Sequence, residues 1–432
     1  MKILAAASLV FAVGFAACSA AGEPGARPTI QDGDWRGLLR TAGGPLPFIL
    51  RIQHPTTDDR PAGIAAFLVN GPEAQEIPLV RWDGDDLVFR LDYYDAEIRA
   101  RIAANGASME GGFSRRRGKD EVVRMVFGAA RPDAGPAKTR SISFPEQRLR
   151  TRYAVRFEGE ADPAVLVLGP AKEGATTRFP LAATFLTTTG DYRYLSGDVR
   201  DGTLTLSTFN GVHAFLFTAR VGADGSLNGE FFSGPASRTA WTATPDPGAS
   251  LPDAFAMAEV ADDTRIGDLS YTSPDGAAVT LGDTSVGGGA RARILYLFGT
   301  WCPNCKDATA ALNEMVGRWG PRGLAVTGLA FEVTGDRERD LRQVRIYRER
   351  SKAAFPLLLA GTTDKQQRAD AFPVLKEIKA FPTLVFVDGR SRVRAVYTGF
   401  SGPATGEEYT KMRERFDSIV ATMLNEGADQ AP

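Results

Sequence analysis

The sequence predicts a multidomain protein in which two similar antiparallel β modules, each a barrel or a sandwich, precede an α/β domain. Three observations support this fold class. The chain has 432 residues, which is more than one ordinary domain contains. Residues 32–245 consist of short alternating runs separated by glycine-containing turns, and the second half of this region repeats the first. From about residue 262 onward, strand patterns alternate with helical patterns, as in α/β domains.

Composition restricts the function classes. Hydrophobic residues make up 43% of the chain and charged residues 24%, which is typical of globular protein. The formal net charge is −1 at pH 7. A chain so close to neutrality has no general electrostatic attraction for nucleic acid, so we expect no nucleic-acid partner.

The N-terminal residues combine a positive charge with a short apolar run. Lys2 precedes the run from Ile3 to Ala17, which fits a signal peptide and is too short to span a bilayer. The run ends in Phe15-Ala-Ala-Cys18, which resembles the lipobox of bacterial lipoproteins, although Phe15 stands where leucine is usual. The resemblance implies a lipidated Cys18 that anchors the chain to a membrane, whereas plain cleavage near Ala20 is the alternative. Both predict export to the periplasm or cell envelope, with residues 1–18 as signal peptide and 19–31 as tether.

Residues 32–130 and 148–245 contain two copies of one β pattern, joined by a linker at 130–148. Dipeptides such as Asp83-Gly84 supply the positive φ angles of tight hairpins. The aromatic residues of the second copy are interpreted as core, and His213 as a structural histidine with satisfied hydrogen bonds. A polar loop at 187–193 could bind a ligand, but its composition indicates none in particular. Four segments recur at an offset of about 118 residues: Trp35 with Tyr153, Ala66–Leu68 with Thr184–Leu186, Asp86–Phe89 with Thr203–Leu206, and Met109–Phe113 with Leu227–Phe231.

The α/β region, residues 262–425, contains a pair of cysteines separated by two residues. Cys302-Pro303-Asn304-Cys305 follows the apolar run Arg293–Phe298 and precedes apolar residues at helical spacing, which predicts strand, turn and helix. Pro303 is favoured at the first helical position. Cys302 then lies near the N-cap, where unpaired N–H groups and the helix dipole favour a thiolate. Cys305 lies on the same helical face, close enough to form a disulfide with it.

Three interpretations of this pair follow from the residues. Structural zinc usually takes four ligands, and the chain offers only Cys18, His54 and His213 besides the pair. An inert structural disulfide would close a very small loop and would remove little entropy from the unfolded state. Redox chemistry is favoured over both. It needs no metal and no cofactor beyond the redox-active disulfide of Cys302 and Cys305.

The remainder of the region predicts a regular alternation of elements. The expected order is a strand at 323–331, a helix at 337–353, a strand at 356–360, a helix at 364–379, a hairpin at 383–397 and a closing helix from about 407 to 424.

Residues 262–425 resemble the thioredoxin-fold domain of the TlpA-like group of exported thiol–disulfide oxidoreductases. Trp301-Cys302-Pro-Asn-Cys305 resembles the WCxxC active site of that group, and Ala380-Phe381-Pro382-Thr383 resembles its cis-proline loop. The resemblance covers less than half of the chain.

Site roles follow from this resemblance. It implies that Cys302 attacks the substrate and that Cys305 resolves the mixed disulfide. Pro382, in cis, would face the pair and leave the backbone of Phe381 free to bind an extended substrate. Trp301, Pro303 and Thr383 would support this arrangement.

The sequence departs from the family pattern at two positions. Thioredoxins have a buried aspartate six residues before the first cysteine, and this chain has Tyr296 there. The group often has glutamate three residues after the second cysteine, where this chain has Ala308, with Asp307 one position earlier. Glu332, at the end of a predicted strand, is our candidate proton acceptor for Cys305, and a surface carboxylate is the alternative.

The expected function is an exported thiol–disulfide oxidoreductase that reduces protein disulfides and receives electrons from a membrane partner. An alternative is an envelope lipoprotein whose β modules bind a ligand while the redox domain is auxiliary. A peroxidase of the peroxiredoxin class is disfavoured, because the Pro-x-x-x-Thr context of a peroxidatic cysteine is absent.

Overall fold

The computed structural model describes residues 27–428, apart from 58, 59, 62, 133–143, 145, 146, 172–178 and 262–264. The signal peptide, Cys18, most of the tether and much of the 130–148 linker lie outside the described residues. Within the described residues, no helix combines the length and apolar character that crossing a bilayer requires.

The first module is a nine-stranded antiparallel sheet that curls without closing. Its strand order is β6-β5-β2-β1-β11-β10-β9-β8-β7, and β3 pairs separately with β4. Side chains alternate between faces, so Trp35 and Leu39 of β1 both lie in the core. The strands are β1 (Gly33–Thr41), β2 (Gly44–Gln53), β3 (Thr56–Thr57), β4 (Arg60–Pro61), β5 (Ala65–Asn70), β6 (Glu73–Glu76), β7 (Leu79–Asp83), β8 (Asp86–Leu91), β9 (Ala96–Ile102), β10 (Ser108–Arg116) and β11 (Val122–Ala130).

The second module repeats this order and closes into a barrel. The order is β13-β12-β20-β19-β18-β17-β16-β14-β15, and a further pairing of β13 with β14 completes a ring of eight strands. The four sequence repeats fall on equivalent strands, which confirms the duplication. The strands are β12 (Arg152–Phe157), β13 (Ala164–Pro170), β14 (Leu181–Thr187), β15 (Gly190–Asp191), β16 (Leu195–Arg200), β17 (Thr203–Phe209), β18 (Ala214–Val221), β19 (Leu227–Ser233) and β20 (Ser237–Pro245).

The hydrophobic core of the first module extends to residues of the second module, which also has a core of its own. Phe209, at the end of β17, packs against Phe48 and Phe113 of the first module, with ring centroids 4.8 and 5.0 Å apart. The side chain of Asn70 donates a hydrogen bond to the carbonyl oxygen of Phe209 over 2.9 Å. Buried aromatic contact combined with a satisfied buried amide holds the modules together as one unit.

The third unit is a seven-stranded mixed sheet with helices, which is the thioredoxin arrangement. Its strand order is β22-β21-β25-β24-β23-β26-β27, in which β23, β24 and β25 are parallel. Both faces of β23 are buried, as its continuous apolar sequence requires. The elements are β21 (Ser270–Thr272), β22 (Ala278–Thr280), β23 (Ala292–Phe298), α1 (Pro303–Trp319), β24 (Leu324–Glu332), α2 (Arg337–Ser351), β25 (Leu357–Thr362), α3 (Lys365–Ala371), β26 (Thr383–Asp388), β27 (Val393–Thr398) and α4 (Glu407–Ala428).

The predicted helix at 364–379 is wrong beyond residue 371. Pro373 has no N–H group and disfavours helical angles at Phe372, whose φ and ψ are −134° and 71°. The irregular segment that follows buries Phe372, Val374 and Ile378 against the sheet face opposite α1 and α4.

Candidate functional site

Cys302 caps the helix that carries the cysteine pair. The buried strand β23 leads into a short loop, and α1 begins at Pro303 with Cys302 as its N-cap residue. The backbone N–H of Cys305 donates to Cys302 Sγ over 3.1 Å, and Cys305 is fully buried. The two sulfurs are bonded in this structure, with their Cα atoms 5.2 Å apart. A sulfur at this position receives a helix N–H group and the positive end of the helix dipole, which together stabilise a thiolate.

The loop before β26 lies beside this sulfur. The Phe381–Pro382 peptide bond is cis. Cys302 Sγ lies 3.6 Å from the carbonyl oxygen of Phe381. The hydroxyl of Thr383 donates to the carbonyl oxygen of Ala380 over 2.8 Å and fixes the turn.

Trp301 also contacts the loop that contains Phe381 and Pro382. Its indole N–H donates to the carbonyl oxygen of Phe331 over 2.9 Å. Its ring contacts the ring of Phe381 edge to face, with centroids 5.9 Å apart. The predicted residues from both motifs therefore meet around one sulfur atom.

Tyr296 occupies the space beneath Cys305. Its hydroxyl donates to the carbonyl oxygen of Cys305 over 2.6 Å and lies 3.2 Å from the hydroxyl of Thr309. Burial raises the pKa of Tyr296, so the phenol is neutral at physiological pH. The tyrosine therefore holds the first turn of α1 in place. Because its phenol stays protonated, it cannot act as an ionised base.

Glu332 is a buried carboxyl group at the end of β24. Its oxygens accept hydrogen bonds from the N–H and the hydroxyl of Thr300, at 3.0 and 2.9 Å, and lie 3.2 Å from the guanidinium of Arg339. Burial raises its pKa to about 7. The alternative of a surface carboxylate is wrong, because the residue is 0% exposed. Its contacts in the described part of the chain are with Thr300, two residues before Cys302, and with Arg339 rather than with Cys305.

Residues of the second module reach the cysteine helix, which the sequence did not reveal. Arg193 donates a hydrogen bond to the carbonyl oxygen of Pro303 over 3.0 Å and forms ion pairs with Asp307 and Glu73. The side chain of Asn304 donates to the carbonyl oxygen of Asp191 over 2.9 Å. The polar loop at 187–193 was the part of the sequence that pointed to this contact. Its composition could not predict which buried residues it would meet.

The carboxyl of Asp191 is also part of this contact. It accepts hydrogen bonds from the N–H groups of Arg193 and Gly402, and burial raises its pKa to about 7. Asp307, which the sequence placed one position early for the family glutamate, has its pKa raised by burial, while Arg193 opposes that change. The module is thus attached to the segment between and after the cysteines.

The first module contacts the domain through α2. Arg339 bridges Asp95 of that module, at 3.1 Å, to Glu332. Arg350 pairs with Asp92 at 2.8 Å, and Gln343 donates to the carbonyl oxygen of Asp92 over 3.1 Å. A chain of polar contacts therefore runs from the first module through Arg339 and Glu332 to the loop before Cys302.

His213 does not have the satisfied hydrogen bonds that we expected. Its Nδ1 is buried and has no hydrogen-bond partner among the described residues. Its ring stacks on Phe215 with centroids 4.4 Å apart, and burial lowers its pKa to about 3. The imidazole is therefore neutral, and it lines the same cleft as Cys302.

Within the described residues, no three or more His, Cys, Asp or Glu side chains are grouped so that they could hold a metal ion. The groups near this loop that can take part in chemistry are the two sulfurs and the carboxyl of Glu332.

Comparison with known proteins adds a family match for part of the chain. A model of the AhpC/TSA family matches residues 263–396, less than half of the chain. No curated protein matches this chain.

Solved structures similar to the C-terminal part include three proteins of the thioredoxin type. A thiol:disulfide interchange protein of the thioredoxin family from Chlorobium tepidum TLS is 23% identical, with a TM-score of 0.28, over 38% of this chain and 99% of that chain. A secreted disulfide oxidoreductase from Mycobacterium tuberculosis is 15% identical, with a TM-score of 0.27, over 38% and 99%. A thioredoxin-like protein from Aeropyrum pernix is 15% identical, with a TM-score of 0.27, over 37% and 91%.

The thioredoxin fold is assigned from the structure itself: from the strand order, the capped cysteine pair and the neighbouring cis-proline loop. The C-terminal part of this chain is therefore a thioredoxin-fold domain that matches the AhpC/TSA family, and it carries a disulfide-bonded Cys302–Cys305 pair at the start of α1.

Proposed function

We propose that this protein is an exported thiol–disulfide oxidoreductase that reduces disulfides of envelope proteins and is itself kept reduced by a dithiol partner in the membrane. One observation carries the proposal: Cys302 Sγ sits at a helix N-cap, 3.1 Å from the N–H of Cys305 and 3.6 Å from the carbonyl oxygen of Phe381. That position combines an activated sulfur with a backbone group that an extended substrate can reach.

The reaction begins with the reduced pair. The Cys302 thiolate attacks one sulfur of a substrate disulfide, the substrate S–S bond breaks, and the departing thiolate takes up a proton. Cys305 then loses its proton and attacks Cys302 Sγ, which releases the second substrate thiol. The substrate has gained two electrons and two protons, and the enzyme holds the Cys302–Cys305 disulfide. A membrane dithiol restores the reduced pair by the same exchange.

Glu332 serves in this proposal as the acceptor for the Cys305 proton. A buried carboxyl with a pKa of about 7 can both hold and release a proton at neutral pH. Its hydrogen bonds to Thr300 connect it to the loop before Cys302. A bridging water or a small movement would complete the transfer, since its observed partners are Thr300 and Arg339.

The N-terminal sequence supports export and anchoring. A charged start, a short apolar run and the Phe15-to-Cys18 motif resemble a lipoprotein signal. In this proposal Cys18 carries the lipid, and residues 19–31 tether the modules to the membrane.

The proposal is tested by insulin reduction with the full chain and its Cys302→Ser and Cys305→Ser variants. We expect both substitutions to abolish turnover, and Cys305→Ser to retain substrates as a mixed disulfide on Cys302 that mass spectrometry identifies. The Cys302 thiol should titrate below the ordinary value of about 8.5. Insulin reduction that survives both substitutions would refute the enzyme assignment, and a reduction potential well above about −150 mV would reverse the direction of electron flow.

A further inference from the structure

The active-site sulfur faces a cleft whose second wall comes from the second β module. The cleft has a volume of about 340 Å³. Trp301, Cys302 and Phe381 line it on the redox side, and Tyr192, Val212 and Phe215 line it on the opposite side. Cys302 itself is only 5% exposed, so a substrate must enter this space to reach the sulfur.

The second wall is held in place by hydrogen bonds to the cysteine helix. Asn304 donates to the carbonyl oxygen of Asp191, and the N–H of Asp191 donates to the carbonyl oxygen of Phe400 over 3.2 Å. Gly190 packs so closely that a Cβ atom there would lie 2.8 Å from the side-chain nitrogen of Asn304. The width of the cleft is therefore preformed, and it admits a narrow chain rather than the surface of a folded domain.

The inner part of the cleft is apolar. The rings of Tyr192 and Phe215 lie 5.1 Å apart, and both are half-buried. Burial raises the pKa of Tyr192 to about 12 and lowers that of His213 to about 3, so neither ring is charged at neutral pH. An apolar side chain next to the substrate cysteine would bury its surface against these rings.

The outer part of the cleft carries positive charge. Arg368 and Lys379 line it, and within the described residues neither forms an ion pair with a carboxylate. The guanidinium of Arg368 donates to the carbonyl oxygen of Thr363 over 3.4 Å. Glu377 pairs with Lys365 at 2.9 Å, and this pairing, together with the charges of Lys379 and Arg368, lowers the pKa of its carboxyl. The acidic residue that lines the cleft, Asp191, is buried, and its carboxyl accepts hydrogen bonds from the backbone N–H groups of Gly402 and Arg193.

We propose that the cleft between the second β module and the redox domain selects the substrate of the redox site: a flexible, extended polypeptide with an apolar residue beside its disulfide-bonded cysteine and an acidic residue farther along. This proposal rests on the proposed function, because it names the substrate class of the same site. The apolar wall receives the first residue, and Arg368 with Lys379 attract the second.

The test uses the reduced full chain and three short peptides that each contain one intramolecular disulfide. The flanking residues are Phe and Glu in the first, Phe and Lys in the second, and Ser and Glu in the third. We expect kcat/KM for the Phe and Glu peptide to exceed both others by about tenfold, which corresponds to about 1.4 kcal/mol. Hydroxyethyl disulfide, which is small and neutral, reports separately whether the redox reaction occurs at all.

Variants of the residues that line the cleft test which of them determine the substrate preference. Joint Arg368→Glu and Lys379→Glu substitution should reverse the preference between the Glu and Lys peptides, whereas Arg124→Glu, at an exposed arginine of the first module, should leave it unchanged. Val212→Ser should reduce the preference for Phe over Ser.

Two results would overturn this assignment while the proposed function stands: equal rates for all three peptides with hydroxyethyl disulfide still reduced, or glutathione disulfide reduced as fast as the Phe and Glu peptide. Failure to reduce hydroxyethyl disulfide or any of the peptides would instead reject the proposed function.

Discussion

Arg193 of the second β module donates a hydrogen bond to the carbonyl oxygen of Pro303, the residue that directly follows Cys302, over 3.0 Å. The same guanidinium pairs with Asp307 of α1 and with Glu73 of the first module, and the residue is 3% exposed. One buried cation therefore joins all three units at the redox helix. The β modules are therefore part of the environment of this site.

Loss of the Arg193 guanidinium should destabilise the whole assembly. Arg193→Met leaves the carboxylates of Asp307 and Glu73 in a largely buried place without their partner, and we expect a loss of about 3 kcal/mol in the free energy of unfolding. Urea denaturation measures the change. Arg200→Met removes an arginine of the same module whose side chain is 80% exposed, and it should change stability little.

A double substitution separates charge from packing at this position. Asp307→Asn combined with Arg193→Met removes one of the uncompensated charges, so it should recover part of the stability lost in the single variant. Equal losses in the Arg193→Met and Arg200→Met proteins would show that the network contributes nothing.

Glu332→Gln should slow the resolving step. A carboxyl with a pKa of about 7 accepts the Cys305 proton only when deprotonated, so the rate of mixed-disulfide resolution in the natural chain should rise as pH passes through 7. The amide cannot take up the proton, and we expect a rate about 100-fold lower at pH 8 together with loss of this pH limb. Stopped-flow measurement of substrate release checks both. Glu314→Gln, at an exposed carboxylate of α1, is the control, and an unaltered profile for Glu332→Gln would contradict the role.

The raised pKa of Asp191 should make the free energy of unfolding depend on pH. Its pKa is raised from 3.8 to about 7 in the folded chain, so the native state binds its proton more tightly than the unfolded state does. The stabilisation from this bound proton is therefore complete below pH 4 and is lost as pH rises through 7. We expect this group to lower the free energy of unfolding by a few kcal/mol between pH 4 and pH 8, and Asp191→Asn to flatten that part of the curve. A slope unchanged by the substitution would exclude the group as its source.

Gly190→Ala should displace the wall of the cleft from the cysteine helix. The φ angle of this residue is 139°, which alanine rarely adopts, and its Cβ would lie 2.8 Å from the Asn304 side chain. Gly202→Ala is a matched control, because its φ is also positive while nothing lies within 4 Å of the added atom. We expect Gly202→Ala to lose about 1 kcal/mol from backbone strain and Gly190→Ala to lose more, because a φ of 139° lies outside the left-handed region and the added atom also meets Asn304. Only Gly190→Ala should change peptide reduction rates as well. Identical rates for the two variants would mean that contact with Asn304 does not set the cleft.

Local patterns were enough to predict most of the architecture. Alternation of period two, turn dipeptides and the offset of about 118 residues indicated the duplicated β modules, because each copy carries its own short-range signals. Pro303 after Cys302 indicated the N-cap, since proline favours the first helical position. The helix at 364–379 failed because the turn imposed by Pro373 outweighed the apolar spacing around it.

The cysteine pair, the order of the elements and the carboxyl at residue 332 could all be predicted from local patterns in the sequence. The burial of this carboxyl, the closure of one β module but not of the other, and the meeting of Arg193, Asp191 and Asn304 depend on long-range packing. The physical reason is distance along the chain. Helix caps and hairpins depend on neighbours a few residues apart, whereas Arg193 and Pro303 are separated by 110 positions and come together only when three separate cores have packed.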